Sequence, residues 1–381
     1  MKSNYDILGN HIRLIDTRNR ESITDRVLGI NIDKFFMPSV ANVIGTDLSK
    51  YKLITKGKFA CNPMHVGRDE RLPVALYDEE EPAIVSPAYF MFEVVDNSNL
   101  NEDYLMMWFR RPEFDRICWL HTDGSVRGGI TWDDICRLEL PIPPIENQLE
   151  IVNSYKAITE RIALKQKIND NLEATLNTVF VKMYEETDED SSVLLSELCS
   201  LASSKRVFAE DYVSDGVPFY RGKEITQKRN GEPISDPLFI SHNHFASLKA
   251  NYGIPVCGDI LITAVGTIGN SYFVQDEEFY FKDGNIIWLK DFIEPSLNYY
   301  IYDYMQTPIF KRQLEGICIG STQTALTIVA LSNLKVKKPR TAELALYCKK
   351  SKALRSAIQT NNGEIERLTQ VAKAMLASLS R

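Results

Sequence analysis

LELPIPPIENQLEIVNSYKAITERIALKQKINDNLEATLNTVF, residues 138–180, decides the architecture of this chain, because it returns in altered form as LKVKKPRTAELALYCKKSKALRSAIQTNNGEIERLTQVAKAML at 334–376. Each copy opens with a proline-marked exit and continues as a long run without proline. In the first, a 4-3 series runs Ile151, Tyr155, Ile158, Ile162, Lys165, Asn169, Leu172, Leu176, Val179, Met183. In the second it runs Tyr347, Ser351, Leu354, Ile358, Asn361, Ile365, Leu368, Ala372, Met375, Leu379. Both hold for more than four heptads without a stutter, which predicts a coiled-coil seam rather than a helix lying on one domain. At 1.5 Å per residue each seam is about 50 Å long. Lys165, Asn169 and Asn361 interrupt the seams near their middles. If the helices pair antiparallel with ends aligned, 151 lies opposite 379 and Asn169 falls opposite Asn361. Such a pair satisfies its own amides, whereas a slipped pairing buries them unbonded. These three residues are therefore expected to set the register.

The repetition extends upstream of the helices. At a fixed offset of 196 residues, Tyr104, Pro112, Phe114, Arg116, Gly124, Ser125, Thr131, Leu138 and Pro143 recur as Tyr300, Pro308, Phe310, Arg312, Gly320, Ser321, Thr327, Leu334 and Pro339. The matches continue into the helices and need no gap. This is too long for a solenoid unit and indicates a duplicated domain. Each half starts with strand-like runs: VLGINI (27–32) and YFMFEVV (89–95), then DILITAV (259–265) and NIIWLK (285–290). A helical stretch follows, with Pro112 or Pro308 expected in the first turn of a second helix. A polar loop comes next, HTDGSVRGGIT or ICIGSTQTALT. The fold class expected is α+β: two duplicated β-rich domains separated by two long antiparallel coiled-coil helices, with internal pseudo-twofold symmetry. The boundaries expected are 1–143, a helix at 144–184, an acidic linker at 185–190, 191–339, and a helix at 340–381.

Composition narrows the class. With 44% hydrophobic and 25% charged residues the chain reads as a globular protein. No apolar run is long enough for a transmembrane helix, and MKSNYDILGNHIR lacks the apolar core of a signal peptide. The seven cysteines are scattered and never spaced as CxxC, which suggests reduced thiols in a cytoplasm, without a zinc site or disulfide framework. The net charge of −7 argues against a uniformly basic surface, so a nucleic-acid binder would need a local basic face. His242-Asn243-His244 has no carboxylate or cysteine nearby at ligand spacing and reads as a surface loop.

Two globular units, each followed by a long helix, resemble the DNA specificity subunit of type I restriction-modification systems. The resemblance is carried by the exit and helix at 138–180, by its weaker copy at 334–376, and by VPFYRGKEI (217–225) with GDILITAVGTIG (258–269). The second copy departs from pattern, with Lys337 and Lys338 in place of apolar and proline residues and Glu343-Leu344 in place of Asn147-Gln148. The resemblance implies that each β-rich unit is a target recognition domain reading one half of a bipartite, asymmetric site on double-stranded DNA. It also implies that the helices act as a ruler. Two methyltransferase subunits would dock and methylate adenine N6, with S-adenosylmethionine bound on those partners and no cofactor here. A restriction/translocase subunit would join them. This chain would be non-catalytic, cytoplasmic and free of membrane contacts.

The residues agree with a non-catalytic reading. The glycine-rich cofactor loop and the Asn/Asp-Pro-Pro-aromatic motif of an amino-methyltransferase are both missing. GVPFYRGKE has the wrong spacing for a phosphate-binding loop, with Glu224 where Ser or Thr must meet magnesium. The alternatives are a diverged methyltransferase or nuclease with its own site, or a coiled-coil scaffold for proteins. Phosphate contacts need Lys, Arg and hydroxyl or amide donors, and base readout needs Arg, Asn, Gln, Ser or Thr. The candidate DNA-binding residues are Asn62, His65, Arg68 and Arg71 in CNPMHVGRDER, and His121, Ser125 and Arg127 in HTDGSVR. In the second half they are Lys205, Arg206, Tyr220, Arg221, Lys223, Thr267, Asn270, Ser321, Thr322 and Gln323. Gly57, Gly67, Gly258, Gly266 and Gly269 are expected in tight turns.

Overall fold

Four of the residues that recur at the 196-residue offset, Tyr104, Pro112, Phe114 and Thr131, perform the same structural tasks as their counterparts in the computed structural model, which describes residues 5–40, 43, 45–64, 66–122, 128–232, 234, 236–318 and 325–379. Its described helices of eight residues or more are α1 (Glu102–Phe109), α2 (Pro112–Leu120), α3 (Ile145–Glu186), α4 (Gly222–Asn230), α5 (His242–Tyr252), α6 (Leu297–Met305), α7 (Pro308–Ile317) and α8 (Thr341–Ser378). Pro112 and Pro308 open α2 and α7, where the absent N–H costs no hydrogen bond. Thr131 and Thr327 cap short helices at Trp132–Cys136 and Ile328–Ser332, each hydroxyl accepting a backbone N–H at 3.1 Å. The Tyr104 hydroxyl donates to Pro141 O at 3.2 Å, and that of Tyr300 donates to Lys337 O at 2.5 Å. Phe114 and Phe310 are buried in their respective cores.

The chain divides into two compact units, one of Met1–Leu164 with Ile365–Arg381, the other of Lys165–Glu364. In the first unit an antiparallel sheet is ordered Ile12–Leu14, Phe90–Val94, Lys58–Cys61, Val74–Tyr77. A second sheet is ordered Phe36–Pro38, Val27–Ile30, Ala83–Val85, Lys52–Ile54, its middle pair parallel. Tyr5–Ile7 pairs with Glu139–Pro141. Phe59 and Phe92 are register partners and stack at 5.0 Å, with Phe109 edge-on to both.

The second unit repeats this plan. Its first sheet is ordered Ser200–Ala202, Ile286–Lys290, Ile260–Thr263, Ser271–Phe273. Its second is ordered Tyr212–Val213, Leu238–Ile240, Val217–Tyr220, Tyr280–Phe281, and again holds one parallel pair, Val217–Tyr220 with Tyr280–Phe281. Ser192–Leu194 pairs with Lys335–Lys337 as Tyr5–Ile7 pairs with Glu139–Pro141. The second sheets differ at their edges and in one connection: Lys52–Ile54 extends the first unit's sheet beyond Ala83–Val85, whereas Tyr212–Val213 extends the second unit's beyond Leu238–Ile240. Val27–Ile30 turns directly into Phe36–Pro38, whereas α4 intervenes between Val217–Tyr220 and Leu238–Ile240. His242-Asn243-His244 is not a loop: it forms the first turn of α5, because the Ser241 hydroxyl accepts the His244 N–H at 3.2 Å and caps the helix. The two lysines that depart from the repeat have partners. Lys337 reaches Glu189 at 2.7 Å and Thr187 O at 3.1 Å, so it binds the acidic run, and Lys338 meets Glu294 at 2.7 Å.

The 42 residues of α3 and 38 of α8 bury a common seam. All positions of both 4-3 series are buried or half-buried. In the first unit Val152 and Tyr155 share a core with Ala372 and Leu379. In the second, Phe180 meets Tyr347 at 5.8 Å between ring centroids. Within each unit the two helices therefore run antiparallel. A polar layer lies between 165 and 169 on α3 and 361 and 364 on α8. The Asn361 amide donates to Asn169 Oδ1 at 2.8 Å, and Asn169 donates to Asn362 Oδ1 at 2.8 Å. Lys165 donates to Asn361 Oδ1 at 2.9 Å and pairs with Glu364 at 3.0 Å. Among the described residues no helix is long and apolar enough to cross a membrane.

We expect Asn169→Leu or Asn361→Leu alone to cost about 1–3 kcal/mol, because each strips the remaining buried amide of the bond between the two. The double variant should cost less than the sum of the two. Urea unfolding of the full chain measures the coupling. Simple additivity would show that the two amides do not support each other.

Candidate nucleic-acid interface

In the first unit, the connection between strands Lys58–Cys61 and Val74–Tyr77 carries Asn62, His65, Arg68 and Arg71, and the segment after α2 carries His121, Ser125 and Arg127. The fold joins them. Gly67 donates its N–H to Gly128 O at 2.9 Å, and Ile130 donates to Pro63 O at 3.2 Å. Gly129 is required by this approach, because a Cβ there would lie 2.9 Å from Pro63 O. Asn62 shapes the loop: its Oδ1 accepts the Met64 N–H at 3.1 Å. His121 is exposed at the C-cap of α2. Arg68 lies in the short helix Val66–Asp69. His65, Ser125 and Arg127 lie outside the described residues.

A third segment, which sequence reasoning missed, completes this face. The turn between Val27–Ile30 and Phe36–Pro38 buries Lys34, 3% exposed, with a left-handed φ of 68°. Its ammonium donates to Phe109 O at 2.5 Å and to Asp115 at 2.7 Å, and sits 4.6 Å over the Phe114 ring. Asp115 also accepts the Leu72 N–H at 3.1 Å, at the end of the 62–71 loop. Arg71 lies 2.9 Å from Asp33 and 3.6 Å from Asp115. Burial pushes the Lys34 ammonium below the ordinary lysine range, against the pull of Asp115. The cluster thus locks the turn, the 62–71 loop and α2 together, with Arg71, its side chain 40% exposed, at its outer edge. Phe35, 50% exposed, and Met64 stand on the solvent side of these segments.

The second unit builds its face from the same three connections. The segment 264–270 joins Ile260–Thr263 to Ser271–Phe273, and Leu326, the counterpart of Ile130, donates its N–H to Ala264 O at 2.9 Å. Val265 bridges to Ala325 beside it. Within the loop the buried Thr263 hydroxyl donates to Thr267 O and accepts the Asn270 N–H at 3.0 Å. Gly269 takes a left-handed φ of 89°, with no room for a Cβ against Leu314. Ser321, Thr322 and Gln323 lie outside the described residues.

The third segment here is α4. Asn270 donates to Thr226 Oγ1 at 3.0 Å, and Thr226 approaches Thr267 at 3.4 Å between hydroxyl oxygens. Arg229 donates to Asn270 Oδ1 at 2.8 Å and to Gln306 Oε1 at 3.0 Å. Arg221 grips the buried Glu224 at 2.6 Å. Burial opposes charge on Glu224, but the Arg221 guanidinium and N–H hold its carboxyl below the usual range. Tyr220 lies beneath the surface, 6% exposed and stacked on Phe279 at 4.6 Å. It supports the loops from below. Lys205 and Lys223 are exposed, with no carboxylate partner among the described residues. Arg206 pairs with Asp283 at 2.9 Å. Lys34, Thr226 and Arg229 carry no local sequence signal; their partners are distant in the chain and only the fold brings them together.

A family model described as the type I restriction modification DNA specificity domain matches residues 189–370. The chain is 30% identical over 225 residues to a type I restriction enzyme specificity subunit of Haemophilus influenzae, covering 57% of this chain and 55% of that one. It thus spans about half the length of that relative. The MjaX specificity subunit of Methanocaldococcus jannaschii is 22% identical over 401 residues, with 98% of this chain and 87% of that one covered. Residues 189–370 thus resemble the type I restriction modification DNA specificity domain. The S subunit of a type I restriction-modification system from M. genitalium shares its fold, with a TM-score of 0.61 at 15% identity over 99% of this chain and 96% of that one. The family-matched region contains the whole described face of the second unit, including α4 and segment 264–270.

Without Lys34 the buried Asp115 keeps only the Leu72 N–H and Arg71 at 3.6 Å, so Lys34→Met should destabilise the first unit by about 2–4 kcal/mol. Lys34→Met/Asp115→Asn should recover much of that loss while keeping the acceptor for Leu72 N–H. Urea unfolding of the full chain reads both. Equal destabilisation by the single and double variants would show that the stranded charge is not the cause.

Proposed function

We propose that this chain is the non-catalytic subunit that selects the DNA target of a type I restriction-modification complex. The observation that carries the reading is a duplicated frame with divergent loops. The same backbone hydrogen bond, Ile130 to Pro63 and Leu326 to Ala264, holds the corresponding connections in both units. The side chains those connections display are unrelated: Arg71 with Asp33 and Lys34 in one, Thr226, Thr267, Asn270 and Arg229 in the other. A common frame with different displays suits two unrelated half-sites of one bipartite sequence. Asn62, His65, Arg68, Arg71, His121, Ser125 and Arg127 are proposed for one half-site. Lys205, Arg206, Arg221, Lys223, Thr267, Asn270, Ser321, Thr322 and Gln323 are proposed for the other, with Tyr220 beneath them. Two methyltransferase subunits would dock on the helical regions, and a restriction/translocase subunit would complete the assembly.

The test is a methyladenine map of the host genome with and without this chain. Loss of one split motif is the expected result. An unchanged map would point to a scaffold, and S-adenosylmethionine binding by the isolated chain would point to a methyltransferase. A second expectation concerns the spacer. Four residues inserted in both long helices, near Gln166 and Asn362, add roughly 6 Å of helix. At about 3.4 Å per base pair this should widen the gap between half-sites by one or two base pairs and leave the half-sites unchanged. Altered bases with an unaltered gap would exclude the ruler.

A further inference from the structure

We infer that Arg229 is a further phosphate-contacting cation of the second unit, beside the lysines and arginines proposed above, and that Asn270 is its positioning residue. The inference rests on the DNA-selecting role proposed above and concerns how the charge on that face is kept available. The unit's arginines differ in how their charge is balanced. Arg206 meets Asp283 at 2.9 Å and Arg221 meets Glu224 at 2.6 Å. Arg340 pairs with Glu343, and Arg355 with Asp303. Arg312 is exposed on α7.

Arg229 is half-buried, and among the described residues it meets no carboxylate. Two neutral amide oxygens hold it instead, Asn270 Oδ1 at 2.8 Å and Gln306 Oε1 at 3.0 Å. Both amides are themselves held. Gln306 donates to Ser271 Oγ at 2.7 Å and to Tyr302 O at 3.1 Å. Asn270 donates to Thr226 Oγ1 at 3.0 Å, and its N–H is tied to Thr263 Oγ1 at 3.0 Å.

Amide acceptors orient a guanidinium without cancelling its charge. A carboxylate in either position would orient it equally well and neutralise it. Of the five guanidinium N–H donors, these two bonds engage two, leaving three for an anion. The group sits directly beside the Thr226–Thr267 edge of the stitched loop. A fixed, unneutralised, partly dehydrated guanidinium at that place suits a phosphate of the double-stranded DNA backbone, which takes charge-assisted bonds from a planar fork. Asn270, expected from the sequence to touch DNA, on this reading acts through Arg229.

The experiment is a salt titration of the full chain in complex with its methyltransferase subunits, on a duplex bearing the mapped motif and on a scrambled duplex. Each phosphate contact contributes about 0.9 to the slope of log affinity against log salt. Arg229→Gln should lower the slope by that amount on both duplexes. The wild-type advantage should accordingly shrink about 3–4-fold between 50 and 200 mM salt. Asn270→Asp keeps Arg229 but places a carboxylate beside it, and should lower the slope equally. This variant adds an ion pair and so keeps the test valid if Arg229→Gln folds poorly. Arg229→Lys should restore most of the slope. A steep wild-type slope that neither Arg229→Gln nor Asn270→Asp changes would overturn the assignment and leave the DNA-selecting role standing. Loss confined to the motif duplex at constant slope would make Arg229 a base reader and also overturn it. A wild-type complex with no salt-sensitive DNA binding would overturn both.

Discussion

Neither long helix can keep its apolar seam from water alone, and covering that seam is the constraint on which the rest of the structure depends. In each unit, α3 and α8 bury their 4-3 positions against one another and against the β-rich domain. Apolar contact by itself tolerates a slip of one heptad, because leucine meets leucine again after seven residues. The layer of Lys165, Asn169, Asn361, Asn362 and Glu364 does not tolerate it. A slip would separate the amides and bury them unbonded, at a cost larger than the bonds contribute when made. Seam and layer divide the work: one supplies association, the other its phase.

The domains built onto this helix pair show a similar division. What recurs between the halves is what a frame needs: prolines that open α2 and α7, threonine caps, the Tyr104 and Tyr300 hydroxyls, and backbone bonds such as Ile130 to Pro63. Backbone bonds are indifferent to the side chains around them, so the loops they hold are free to diverge. They have done so in both charge and form. One unit fills the connection between two strands with a tight turn locked by a buried lysine. The other fills it with a helix that presents an arginine.

The strands at 27–30, 90–94, 260–263 and 286–290 were legible from apolar runs, and α3 and α8 from a period that persists over many turns. Other features were not. His242-Asn243-His244 reads as loop because its residues favour helix weakly, yet Ser241 caps a helix there. Lys337 and Lys338 read as breaks in a repeat, and the structure shows them meeting Glu189 and Glu294. Tyr220 reads as a candidate DNA contact beside Arg221, but its strand is covered on both faces, Phe219 in one core cluster and Tyr220 in another against Phe279.

Sequence by itself determined the duplication, the α+β class, the two helical seams and the heptad phase that sets 169 opposite 361. All of these are periodic or local, and a period survives in one dimension. The tertiary structure alone decided which loops share a face and which charges remain on it. Lys34 finds Asp115 at a separation of 81 residues, and Arg229 finds Gln306 at a separation of 77. Whether an arginine ends beside a carboxylate or an amide depends on how the sheets bring distant loops together, and nothing in its own neighbourhood records that.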